Sequence, residues 1–322
     1  MLSKQAKYSK IASWSKILKA VSMRVLMISK ACLVGTYQTK LEEIAAHKDV
    51  DLAVIVPPVW KDPSGPVPLE RSHIQGYQLI VDPIRFNGDF HFHYYPKLKR
   101  RLTEFQPDIL HIDEEPYNLA TWLAWRQARS AEARSLFFSW QNLERRYPFP
   151  FSVMEKQVLQ GVDYAILGNQ DAVQVWKNKG YSGPYQVIPQ FGIDPEIFHP
   201  PKSRDRGRGF IVGSANRRLV SEKGVDLLLH AVARLPGIWR VHITGDGPAR
   251  PQLERLAKEL HIADRVHFDG TISSTAMPAY LQQLDVLSLT SRTKKNWKEQ
   301  FGRTLIEAMA CEVPVILSLI HI

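Results

Sequence analysis

The chain has 322 residues, 44% hydrophobic and 23% charged, the make-up of a soluble globular protein with room for two domain cores. No apolar run is long enough to cross a bilayer, and Cys32 and Cys311 stand too far apart for a metal-ligand pair, reading instead as free thiols of a reducing compartment. Half of the net charge of +10 comes from Lys4, Lys7, Lys10, Lys16 and Lys19 in residues 1–22, which contain no acid, so charge gives no argument for a nucleic-acid partner.

In that first segment Tyr8, Ile11, Trp14, Leu18 and Val21 recur at three- and four-residue steps. The pattern reads as a basic amphipathic helix able to lie on an anionic membrane surface. The alternative is sequence upstream of a natural start at Met23, because Met23-Arg24-Val25-Leu26-Met27-Ile28 opens the first buried strand. The segment lacks the apolar centre of a secretory signal. The expected location is cytoplasmic, with peripheral contact at the inner face of the membrane if the helix is genuine.

Residues 25–28 form a short apolar run, as a parallel strand buried on both faces requires. A loop containing Gly35 follows, then a helix near residues 41–45 and a strand over 52–56 that ends at Pro57-Pro58. Residues 57–96 mix proline, aromatic and polar residues and yield no assignment. A strand over 107–112 runs into Asp113-Glu114-Glu115-Pro116, and Trp122-Leu123-Ala124 predicts a helix. Residues 136–139 predict a strand leading into Trp140-Gln141-Asn142. Two more strands, 164–167 and 185–188, flank a helix near 172–179. Proline, glycine and charge over residues 200–209 mark a linker.

Beyond the linker the pattern restarts. Strands are expected at 210–213, 241–245, 266–268 and 286–289, and helices at 224–235, 251–260 and 278–284. Alternating strands and helices predict two α/β domains of Rossmann-like type, residues 23–199 and 210–322. Ligands of such sheets sit at the carboxyl ends of the strands, which predicts a cleft between the two domains.

Four segments carry chemistry. Glu299 and Glu307 flank Gln300-Phe301-Gly302-Arg303-Thr304-Leu305-Ile306, which places one carboxylate in a loop and the other in the first turn of a helix. The helix start offers N–H groups and a positive dipole end to a diphosphate, and the carboxylates can accept sugar hydroxyls. Read without a ligand, Thr304 and Glu307 form a capping box. Residues 214–224 place Arg218 and Lys223 just ahead of Gly224, a forked donor and a compact charge suited to a diphosphate; the alternative is a solvated basic loop capped by Ser221. Gly245-Asp246-Gly247-Pro248 is a structural turn. Phe268-Asp269-Gly270-Thr271 ends a strand.

The first domain is less specific. Gly35 is either a close-approach position for a phosphate or an ordinary turn glycine. Glu114 and Glu115 read as a solvent-exposed acidic loop, and His111 as structural. Asp49-Val50-Asp51 lies at the wrong end of its strand for a cleft, and His91 and His93 have no third ligand nearby, so no metal is expected.

Glu299-Gln300-Phe301-Gly302, Glu307-Ala308-Met309-Ala310 and Val313-Pro314-Val315-Ile316 together resemble the glutamate–seven–glutamate motif of the retaining family 4 (group 1) glycosyltransferases, whose GT-B fold sets two Rossmann-like domains face to face. Residues 214–224 resemble the arginine and lysine-glycine loop of that family, and the likeness extends from residue 23 to about residue 316. It implies a metal-independent hexosyltransferase without a cofactor, using a UDP- or GDP-sugar and a glycan, lipid or small-molecule acceptor, as in polysaccharide or glycolipid synthesis. Residues 23–199 would be the acceptor side and 210–322 the nucleotide-sugar side. Glu299 would hold the hexose and Glu307 the ribose, while Arg218, Lys223 and the amides of Gly302, Arg303 and Thr304 steady the leaving diphosphate. Phe301 belongs to the same motif; Thr271 would line the nucleobase and Gly35 would admit a phosphate. Many relatives have a histidine near the donor sugar where this chain has Trp140-Gln141-Asn142; Gln141 can still donate to a sugar hydroxyl, but it is no base. The family continues past residue 316 with further elements, whereas the last six residues here resemble a translated sequencing adapter, so the second domain is expected to be incomplete. The alternatives are an inactive truncated fragment and a non-catalytic nucleotide-sugar-binding protein.

Overall fold

A computed structural model describes residues 22–62, 65–203, 209–273, 275–295 and 297–318. The expectations for the basic segment, Ser22 apart, and for residues 319–322 lie outside the described residues. The chain divides into two compact units between Gln190 and Phe191. That division precedes the 200–209 linker read from the sequence, because Ile193 and Phe198 pack into the second unit's core.

In the first unit the order is β1 (Met23–Ile28), α1 (Thr39–Ala45), β2 (Val50–Val56), β3 (Val59–Asp62), β4 (Gly65–Pro68), β5 (Gln78–Val81), α2 (Leu98–Phe105) and β6 (Ile109–Ile112). It continues with α3 (Leu119–Ser130), β7 (Arg134–Ser139), α4 (Phe151–Gly161), β8 (Tyr164–Leu167), α5 (Gln170–Asn178) and β9 (Tyr185–Val187). Seven strands form one sheet in the order β5-β2-β1-β6-β7-β8-β9, with every pairing parallel. Residues 57–68, unassigned from sequence, contain the antiparallel hairpin β3–β4.

Burial follows from strand geometry. Successive side chains of β1 point to opposite faces, so Leu26 and Ile28 join the core made with α2 to α5, while Met27 joins a second core with Leu41, Val54 and Val56. Both faces are covered, which is why β2 is apolar for five consecutive residues.

The second unit runs β10 (Phe210–Ser214), α6 (Val225–Val232), β11 (Trp239–Thr244), α7 (Arg250–Glu259), β12 (Val266–Gly270), α8 (Met277–Gln282), β13 (Val286–Leu289), α9 (Arg303–Ala310) and β14 (Val315–Leu317). Its five strands are parallel in the order β12-β11-β10-β13-β14. Two cores again cover the sheet, one around Leu219, Leu229 and Val241, the other around Leu281, Leu287 and Ala308.

Strand order reverses at one place in each sheet, between β1 and β6 in the first and between β10 and β13 in the second. The loops that follow such a pair of strands diverge and leave a crevice at their carboxyl ends. The two candidate sites described below lie in those loops.

Candidate functional site

In the second unit the crevice is formed by the loop after β10, which carries Arg218 and Lys223, and the loop after β13, which carries Glu299. Lys223 ends a short 3-10 turn, and Gly224 follows it at φ +63°, a backbone state that favours glycine. A Cβ there would fall against the carbonyl oxygen of Thr290, just past β13. The Thr290 hydroxyl donates back to the Lys223 carbonyl at 3.0 Å, so the two loops are held together. Lys223 Nζ then lies 2.8 Å from Glu299 Oε2 and 5.1 Å from the centre of the Trp297 ring. Ser291 Oγ donates to the same carboxylate oxygen at 3.2 Å. Arg218 is exposed, and its side chain has no hydrogen bond or ion pair among the described residues; its backbone bridges to Asp246. The Gly245–Pro248 turn packs tightly beneath this loop, with Leu219 N donating to Asp246 O at 2.9 Å, the structural role expected of it.

Gly302 caps α9 in the left-handed conformation, at φ +68°, and as a glycine it offers no side-chain cap. The capping box of Thr304 and Glu307 is therefore not formed. Glu307 is the fifth residue of α9, in the second turn and not the first, and reaches Arg303 Nε at 2.7 Å on the same helical face. Burial raises the Glu307 pKa above its ordinary value, and the Arg303 charge opposes that shift. Arg303 also lies 5.7 Å over the Phe191 ring, and Phe301 stands 5.8 Å from that ring. Thr304 is half-buried in the helix, and Thr271 is exposed just beyond β12.

The first-unit residues are placed differently. The Gly35 N–H donates to Glu70 Oε2 at 2.7 Å, and Gln38 ties the same loop down by donating to Glu70 O at 2.6 Å. That carboxylate occupies the amide expected to meet a phosphate. Gln141 is buried; its Nε2 donates to Leu143 O at 3.0 Å, and its Oε1 accepts from Tyr147 OH at 3.0 Å, so both ends of its amide are engaged internally. The acidic loop expected to be exposed is not: Asp113 and Glu114 are buried, and Glu115 is half-buried. His111 is enclosed, and burial lowers its pKa to about 4.

Residues 199–321, essentially the second unit just described, match the model of the family glycosyl transferases group 1. Over these residues the chain resembles the group 1 glycosyltransferases. D-inositol 3-phosphate glycosyltransferase of Mycobacterium marinum is 30% identical over 178 residues, 51% of this chain and 37% of that protein. Its counterpart in Mycolicibacterium smegmatis is 31% identical over 51% of this chain and 39% of its own length. The chain thus spans less than two-fifths of the length of these curated relatives. Among solved structures, sucrose-phosphate synthase from Thermosynechococcus elongatus superposes with a TM-score of 0.68 at 19% identity, covering 92% of this chain and 82% of that one. Anabaena HepE, solved with UDP and glucose, gives 0.63 at 19% identity, covering 91% and 80%. At these identities the shared property is the fold, GT-B.

A cavity of about 560 Å³ in the second unit lies against α6 and α7, lined by Ser221, Val225, Asp226, His230, Leu253 and Arg292. Val220, Ser221 and Arg292 of the same two loops line it, but none of Arg218, Lys223, Glu299 or Glu307 does. Among the described residues no group of three or more His, Cys, Asp or Glu side chains is placed to hold a metal ion. Ser291 and Trp297, which hold Glu299 and Lys223, escaped the sequence reading. Residues 290–298 have no periodic pattern; only their place after the strand beside β10 could have pointed to them.

Proposed function

We propose that the chain is a retaining glycosyltransferase that moves a hexose from a UDP- or GDP-linked sugar to an acceptor hydroxyl on a glycan, lipid or small molecule. The carrying observation is the meeting of Lys223 with Glu299 at 2.8 Å where β10 and β13 part, just ahead of a helix whose cap residue is Gly302. As the glycosidic bond breaks, negative charge grows on the β-phosphate. In this reading Lys223, Arg218 and the N–H groups of Gly302, Arg303 and Thr304 stabilise that charge without a divalent ion. Glu299 accepts from the hexose hydroxyls and Glu307 from the ribose, with Phe301 and Thr271 beside them. The binding of UDP and UDP-glucose by HepE, which shares the fold, supports a nucleotide-sugar donor.

The test is thermal unfolding of the full chain with UDP, GDP and their glucose or mannose conjugates, since a ligand bound only by the native state raises the midpoint with saturation. Lys223→Ala should weaken nucleotide binding by about tenfold to hundredfold, the worth of one charge-assisted hydrogen bond. Glu299→Ala should keep UDP binding and lose sugar release from the conjugate, and EDTA should change neither. No shift with any nucleotide would sink the reading. Binding with no sugar release by the parent chain would favour a non-catalytic nucleotide-sugar-binding protein.

A further inference from the structure

Three acids follow β6 in the first unit, and two of them are compensated. Asp113 accepts from Ser29 Oγ and Gln190 Nε2, both at 2.6 Å, with Lys40 Nζ at 3.7 Å. Glu114 is paired with Lys30, faces His93 Nε2 at 3.2 Å and accepts from Tyr95 OH at 3.1 Å. Glu115 has no ion-pair partner among the described residues. Its Oε2 accepts from Ser139 Oγ at 2.5 Å and its Oε1 from the Trp140 backbone N–H at 3.0 Å.

These two partners can only donate. Ser139 Oγ already accepts from Trp176 Nε1 at 2.9 Å and from the Gln141 N–H at 3.1 Å, which uses both of its lone pairs and directs its proton to Glu115. An amide N–H has no acceptor to offer. Trp140 is fixed in turn, because its ring packs on Gly168, where a Cβ would collide with it. Both contacts place Glu115 as an acceptor, with one hydrogen-bond donor on each oxygen among the described residues. Burial without a cation pushes its pKa up to about 7, against the lowering effect of the two donors. A half-buried carboxylate oriented as an acceptor and short of donors fits a ligand rich in hydroxyl groups.

We infer that Glu115, clamped by Ser139 and Trp140, is a hydroxyl-binding subsite for a carbohydrate or polyol. Resting on the glycosyltransferase reading above, the ligand is the acceptor, whose hydroxyl donates to the free lone pairs of Glu115. Tyr117 and Tyr147, stacked on each other at 4.1 Å, lie near Glu115. The charged or titratable groups that face Glu115 are Lys30 from the end of β1, Glu114 from its own loop, and Tyr117 and Tyr147, with Arg145 near Tyr147. Of these, Lys30 and Glu114 are already paired with each other.

The experiment uses the full chain with tryptophan fluorescence as the readout, because Trp140 and Trp176 both touch the clamp. Glucose, galactose, mannose and myo-inositol are titrated at about pH 8 and about pH 6, either side of the Glu115 titration. A saturable change that weakens about tenfold at the lower pH is expected, since one charge-assisted hydrogen bond is at stake. Glu115→Gln should bind about tenfold more weakly at the higher pH and lose the pH dependence, while Glu115→Asp retains part of it. A carboxylate that merely ties β6 to β7 would alter melting but give no pH-dependent response to sugars. No response to any of the four compounds at either pH overturns the subsite, as does an unchanged response in Glu115→Gln. The UDP-induced rise in melting temperature reports on the second unit: its absence in the parent chain counts against the glycosyltransferase reading, whereas its presence beside a missing sugar response counts against this subsite alone.

Discussion

The two units share a parallel α/β scaffold and differ at the carboxyl ends of their strands. Beside its reversal point the first unit gathers Asp113, Glu114 and Glu115, two of them compensated by buried cations and hydroxyls. The second brings Lys223 against Glu299, with Glu222 and an exposed Arg218 in the same loop as the lysine, next to a helix capped by Gly302. The strands set where a site can form in each unit, and the loops set which side chains meet there. The proposed diphosphate and polyol sites follow that difference.

The sharpest way to break the comparison is at Gly224. Alanine there must adopt a left-handed backbone and press a Cβ against the Thr290 carbonyl, which only backbone movement can relieve. Gly224→Ala should cost about 3 kcal/mol in urea unfolding and weaken UDP binding. A loss below about 1 kcal/mol, the cost of the backbone state alone, would mean that the two loops are not held together as described.

The first unit is tested through pH. The folded pKa of Glu115 is raised from 4.5 to about 7, so the folded state binds the proton more tightly than the unfolded chain. Its contribution is fully present below about pH 4.5 and is lost as pH rises through about 7, by up to about 3 kcal/mol. Glu115→Gln cannot ionise, so its stability relative to the parent should climb across that window and level off above it. A difference that stays flat with pH would show that Glu115 is not a strained carboxylate.

A smaller effect separates the two turn glycines. Gly35→Ala must displace the Glu70 carboxylate, which can move, and the Ser72 Cβ, which moves only with its backbone, and should cost about 2 kcal/mol while leaving the UDP-induced rise in melting temperature intact. Loss of nucleotide binding in that variant would restore Gly35 to the donor site, from which the Glu70 carboxylate now excludes it.

Much of this was readable without coordinates. The mainly apolar runs at β1, β2, β6 and β13 pointed to parallel sheets, since a strand covered on both faces carries few polar residues; Arg24, His111 and Ser288 are the interruptions in β1, β6 and β13. Lys223-Gly224 and Glu299 were legible because their spacing relative to strands and helix is local. The capping box failed because Gly302, one residue outside the helix, took the cap in a conformation that residue types alone do not announce. Residues 57–96 were opaque, since a short hairpin and aromatic loops leave no periodic signal.

By itself the sequence determined the α/β class, the two-unit order and the candidacy of Arg218, Lys223 and Glu299, because periodicity and motif spacing are properties of neighbouring positions. Tertiary structure alone decided that Glu70 covers Gly35, that Gln141 turns inward and that the acids after β6 are enclosed. Each of those outcomes depends on a donor, acceptor or charge supplied from elsewhere in the chain, and such pairings exist only once the strands have set their register.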